Sequence, residues 1–161
     1  MVPRIIIIYD SKTGNTERMA KAIEEGVQSV RAVEVELHKI GAPFSMRLLE
    51  EADAIVLGSP TEYGNVTSDM RAFIQSAVEF KAARKLQLRG KIGGAFGSYG
   101  WDGGWAVDRL GETMKELGIK LVLPAVSAVG HMEDHVTRID ENFLQKCREF
   151  GRGIAERVAK T

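Results

Sequence analysis

Apolar and polar positions change period several times along this chain. Residues 5–8 are four isoleucines in a row. A run with no polar alternation suits a central parallel strand covered on both faces. Counting that run as 4–9, comparable short apolar stretches at 33–38, 54–58, 91–97 and 120–128 make five predicted strands. Between them the apolar spacing lengthens to three and four residues. Met19, Ile23, Val27 and Val30 form one such series, and Met70, Phe73, Ile74 and Ala77 another. Val107, Leu110, Met114 and Leu117 form a third, and each series reads as an amphipathic helix. The last helix is predicted from about 140 to 160, with Phe143, Leu144, Cys147, Phe150, Ile154 and Val158 on one stripe. The second connection, which contains Pro43, has room only for a short helix near 46–51. This alternation predicts an α/β chain of one domain, residues 1–161, with an open parallel sheet and helices on both faces. Crossovers in such sheets are right-handed, and ligands bind beyond the carboxyl ends of the strands. Unusual loops are therefore expected after the first, third and fourth strands, and they are found there.

The first of these loops holds Ser11, Thr13, Gly14, Asn15 and Thr16, with Lys12 as its only cation. A phosphate at such a place needs backbone N–H groups, a helix N-terminus behind them and close approach. Gly14 permits the approach and the hydroxyls add donors. Neither the triphosphate pattern G-x-x-x-x-G-K-[ST] nor the dinucleotide pattern G-x-G-x-x-G is present. Taken alone, the loop fits a single phosphate or a plain helix cap equally well. Lys12, alternating with Ser11 and Thr13, is expected to point into solvent. The second loop, 58–70, contains Ser59, Pro60, Thr61, Tyr63, Gly64 and Asn65. Pro60 and Gly64 make its backbone rigid and bent, Tyr63 is a ring that a structural core would not need there, and Asn65 offers amide hydrogen bonds. Thr67 or Ser68, with Asp69, is expected to cap the helix that follows. The third loop carries Ser98, Tyr99, Gly100, Trp101, Asp102, Gly103 and Gly104, with Trp105 at its end. Glycines that admit close backbone approach, interleaved with large rings, describe a pocket for a flat heterocycle. A phosphate cradle and two aromatic walls at one sheet edge imply a planar ring bearing one phosphate.

Composition narrows the setting. The chain is 44% hydrophobic and 27% charged, with formal net charge zero and a pI of about 6.8. No electrostatic attraction to nucleic acid or anionic membrane is expected. No signal peptide and no membrane-spanning apolar run is read, and the single cysteine, Cys147, excludes an intrachain disulfide. A cytoplasmic protein is the expectation. His131 and His135 flank Glu133 and Asp134 after the last predicted strand, but their spacing matches no standard metal pattern, so no metal site is assigned. His38 is read as a surface residue at a strand end, and Cys147 as a core residue.

Ser11-Lys12-Thr13-Gly14-Asn15-Thr16 resembles the [ST]-x-T-G-x-T phosphate loop of flavodoxins. The resemblance runs through the whole chain. It is strongest to the flavodoxin-like domain of flavodiiron proteins, through Gly58-Ser59-Pro60-Thr61, the segment from Phe96 to Gly104, and Cys147 with Phe150-Gly151-Arg152. It implies a flavodoxin-like three-layer sandwich with a five-stranded parallel sheet in order 2-1-3-4-5. It also implies FMN, with its ring between the second and third loops. The metallo-β-lactamase-like di-iron domain of flavodiiron proteins is not seen in the chain, so reduction of oxygen or nitric oxide by it alone is not expected. The neutral charge balance differs from the acidic surfaces usual among flavodoxins.

Three functional classes follow. The first is an electron carrier between redox proteins, in which the flavin does the chemistry, no side chain is catalytic and Asp102 tunes the potential. The second is an NAD(P)H-dependent quinone reductase, because Thr61-Glu62-Tyr63-Gly64-Asn65 also resembles the corresponding loop of flavodoxin-like quinone reductases. The third, a phospho-accepting receiver, needs an aspartate after the third strand and a lysine after the fifth, where Ser59-Pro60 and residues 125–130 stand instead. Self-association is compatible with the first two classes. Donor and acceptor are not legible.

Overall fold

The computed structural model of the protein describes residues 2–100, 103–133 and 136–160. The isoleucine run forms β1 (Arg4–Tyr9), the centre of a parallel sheet. It pairs with β2 (Glu34–Lys39) on one side and β3 (Ala54–Gly58) on the other. β4 (Ile92–Tyr99) continues the sheet beyond β3. The alternating sides of β1 enter different cores. Ile5, Ile7 and Tyr9 pack with α1 (Asn15–Gln28) and α5 (Glu141–Ala159). Ile6 and Ile8 pack on the opposite face with α2 (Arg47–Glu51), α3 (Ser68–Ala82) and α4 (Trp105–Glu116). A strand buried on both faces is what an uninterrupted apolar run requires.

The far edge of the sheet corrects the expected single fifth strand at 120–128. That segment is split into β5 (Lys120–Leu121) and the longer β6 (Val126–Glu133), and both pair with β4 in parallel. Pairing shifts from Ile92↔Lys120 to Phe96↔Val126, so two extra residues bulge out between the pieces. Pro124 lies in the bulge, where a residue lacking an N–H cannot extend a ladder. β6 then turns back into β7 (Val136–Ile139), an antiparallel strand that the apolar pattern did not predict. The sheet order is therefore β2-β1-β3-β4-β6-β7, with β5 beside β4. His131 and Glu133, expected after the last strand, belong to this hairpin, while Asp134 and His135 lie outside the described residues.

α1 and α5 meet almost backbone to backbone. A Cβ at Gly26 would fall 2.0 Å from the Arg148 carbonyl oxygen, and one at Gly151 would fall 2.1 Å from that of Ile23. Cys147 lies buried in this contact, and burial pushes its thiol up to about 12. Among the described residues no helix is long and apolar enough to cross a membrane.

Candidate functional site

The carboxyl ends of β1, β3 and β4 each release a loop toward the same edge, and a cavity of about 510 Å³ opens between them. Its walls include Thr13 of the first loop and Asn15 at the start of α1, Pro60, Thr61 and Tyr63 of the second loop, and Ser98 and Tyr99 at the end of β4 with Gly100 just beyond. A volume in this range suits a cofactor-sized ligand.

The first loop ends at Gly14, the N-cap of α1, which has a left-handed φ of 96° and no side-chain cap. Only glycine adopts that conformation without strain. A Cβ there would meet nothing within 4 Å, so the space in front of the helix end is open. The first-turn N–H groups of a helix have no partner within it. Here Ser11 Oγ accepts from Glu17 N at 3.2 Å, which leaves the N–H groups of Asn15 and Thr16 for something outside the helix. Thr16 is almost fully buried, and its hydroxyl shares a 2.8 Å hydrogen bond with that of Ser98. This bond fastens the first loop to the end of β4.

Ser59 is wholly buried and knits the second loop. Its Oγ donates to the Pro60 carbonyl at 2.8 Å and accepts from Thr67 N at 3.2 Å. Thr67, not Ser68, caps α3, accepting from Met70 N at 3.2 Å. Between them, Glu62 and Asn65 exchange two backbone bonds of 2.7 and 3.1 Å around Tyr63 (φ 51°) and Gly64 (φ 77°). Two positive φ values in succession make a type I′ turn. Its tip holds Tyr63 89% exposed at the cavity wall. Asn65 does not line the cavity; its Oδ1 accepts from Val66 N at 2.7 Å and stiffens the turn.

Thr61 N donates to the Ser98 carbonyl at 2.7 Å, bracing the second loop on the third. Gly97 lets β4 pass close beneath, since a Cβ there would be 2.4 Å from the Ser59 carbonyl oxygen. Gly103 and Gly104 lead into α4 behind Tyr99. Trp105, the first residue of α4, is exposed beside Gly64 and does not line the cavity. Trp101 and Asp102 lie outside the described residues.

The structure adds four residues to those legible in the sequence. Asp10, at the end of β1, is a buried carboxylate. Its Oδ1 accepts from Ser11 N at 2.9 Å and its Oδ2 from the Thr67 hydroxyl at 2.5 Å, which joins the first and second loops. A polar residue closing an apolar run was the available signal. Lys12 is exposed, as expected of a solvated side chain, yet it lines the cavity. Its Nζ stands 4.0 Å from Asp10 and 3.8 Å from Asp69. Glu62 also lines the cavity, as does Thr137 of β7, which had no local sequence signal. Below the site, Tyr9 donates to Glu17 at 2.9 Å; burial first, then the Glu17 carboxylate, pushes its phenol up to about 12. Among the described residues no group of three or more histidine, cysteine or acidic side chains could hold a metal ion.

Open space before a helix end, neutral donors beside it, and aromatic side chains from two braced segments match a flat ring with one anionic tail. A family model described as flavodoxin matches residues 7–151. A flavodoxin of Clostridium saccharobutylicum is 35% identical over 162 residues, covering 96% of this chain and 97% of that protein. The type A flavoprotein fprA of Rhodobacter capsulatus is 33% identical over 158 residues; the match covers 96% of this chain but 33% of that protein. Among solved structures, a flavodoxin from the domain Archaea superposes with a TM-score of 0.79 at 33% identity, covering 97% of this chain and 99% of that one.

Proposed function

Because the chain belongs to the flavodoxin family of FMN-binding electron-transfer proteins, we propose that the cavity at the ends of β1, β3 and β4 is its FMN site and that it carries electrons between redox proteins. The observation that carries this reading is the convergence of the α1 N-terminus, open in front of Gly14, with Tyr63 and Tyr99 around one cavity. Thr13, Asn15 and the first-turn N–H groups of α1 would hold the phosphate. Pro60, Thr61 and Tyr63 on one side, and Tyr99 and Gly100 on the other, would hold the ring. Bound there, FMN supplies the one-electron chemistry.

The chain's own residues set how firmly and in what environment. Ser59, Thr67 and Asp10 tie the loops to one another through hydrogen bonds, which lowers the ordering cost of binding. Lys12 is already ion-paired with Asp10 and Asp69, so the phosphate end is bound mainly by neutral donors. Tyr63 and Trp105 stand exposed by the second and third loops, where a partner protein or a second copy of the chain would approach. A reducing cytoplasm suits the buried free thiol of Cys147.

The test is FMN uptake followed by stepwise redox titration. Purified protein should take up one FMN, quench its fluorescence and be reduced in two resolved one-electron steps. A preparation that stays colourless with excess FMN would remove the assignment. Rapid NADH-driven quinone turnover in a single two-electron step would move the chain to the quinone reductase class, the alternative motivated by the Thr61–Asn65 turn.

A further inference from the structure

One wall of the cavity comes from none of the three loops. It is the β6–β7 hairpin, and Asn15 ties it down. Asn15 is the first residue of α1, is only 4% exposed, and lines the cavity. Its Nδ2 donates to the Thr137 carbonyl at 3.0 Å, across 122 residues of chain. A carbonyl only accepts, so the amide nitrogen must face β7, and its second N–H and its Oδ1 remain for other partners. Gly130, opposite Ile139 in the hairpin, shows how tight the junction is. A Cβ at Gly130 would lie 2.4 Å from Thr137 Cγ2 and 3.6 Å from both Asn15 Nδ2 and the Tyr99 carbonyl oxygen. At its base the hairpin is anchored by buried Ile139; farther out, Met132 is largely exposed.

We propose that Asn15 is a positioning residue whose amide couples the phosphate end of the cavity to the β6–β7 hairpin, so that filling the one orders the other. The proposal rests on the assignment of this cavity to FMN. The physical route is short. An anion accepting from the second N–H of the amide holds the side chain in the one orientation in which the first N–H donates to the Thr137 carbonyl. Fixing the Asn15 side chain also removes entropy that hairpin docking would otherwise lose on its own. Linkage makes the effect reciprocal: a docked hairpin presents Asn15 to the ligand, and a bound ligand holds the hairpin.

Hydrogen exchange of the full chain tests this, with saturating FMN and without it, at the amides of β6 and β7. The hydrogen bond is worth about 1 kcal/mol, so its loss should speed local opening roughly fivefold. Apo Asn15→Ala should therefore exchange its hairpin amides about fivefold faster than apo wild type. Asn15→Asp, which keeps the shape but cannot donate when ionised, should do the same. FMN should slow the hairpin amides in wild type and in Thr137→Ala, which retains the carbonyl. In Asn15→Ala, FMN should still slow the amides of the second loop but no longer those of the hairpin. Hairpin exchange identical in wild type, Asn15→Ala and Asn15→Asp would overturn the proposal, as would FMN-loaded wild type whose hairpin is not slowed. Wild type that takes up no FMN would overturn the cavity assignment and the ligand half of the coupling. The apo comparison would still decide whether Asn15 holds the hairpin.

Discussion

The hydroxyl pair formed by Thr16 and Ser98 offers a sharp test of how the first loop is held. The two side chains are 1% and 6% exposed and their oxygens lie 2.8 Å apart. Thr16→Val keeps the shape but leaves the Ser98 hydroxyl without its partner. A buried hydroxyl in that position costs about 1–3 kcal/mol, so a loss of about 2 kcal/mol is expected. For a domain of this length that lowers Tm by roughly 4–8 °C. Ser98→Ala should cost about the same, because it strands Thr16 instead. The double variant removes both polar groups and should cost little more than either single change, which gives a coupling energy of about 1–2 kcal/mol in a double-mutant cycle. The assay is urea unfolding of the four FMN-free proteins, with the slope checked to be constant so that midpoints report stability. Single costs that simply add would refute the reasoning. They would mean that each hydroxyl finds water from the adjoining cavity and that the loop is not fastened through this bond.

Three further outcomes follow from the packing and the titrating groups. Gly151→Ala places a methyl group about where the Ile23 carbonyl oxygen of α1 already sits, so the helices must move apart. Overpacking of this kind costs about 1–3 kcal/mol, and a backbone obstacle argues for the upper end; the urea midpoint measures it. Cys147, with its thiol pushed up to about 12, should resist a thiol reagent at neutral pH in the folded protein and react fully once denatured. Tyr9, also pushed up to about 12, holds its proton more tightly folded than unfolded. Its contribution to stability is therefore complete below pH 10 and is lost as the pH rises through about 12. Ultraviolet titration should show a late phenolate step that Tyr9→Phe removes.

Much of this architecture is written in local pattern. The isoleucine run, the three- and four-residue apolar spacings and the glycine-rich turns each depend on residues near one another in the chain, so β1, β3, α1 and α5 were expected close to where they are. The three loops were legible for the same reason, since hydroxyls, glycines and rings crowd at strand ends, and residues of all three line one cavity. Tertiary structure decided what depends on residues far apart. The break that divides β5 from β6 follows from Pro124 and a two-residue slip against β4, and β7 exists because it can pair with β6. Asn15 reaches Thr137, Thr16 reaches Ser98 and Asp10 reaches Thr67 across 122, 82 and 57 residues. Periodicity reports which side of an element is apolar. Hydrogen bonds between polar groups leave no periodic trace, and they form only after the apolar faces have brought their ends together.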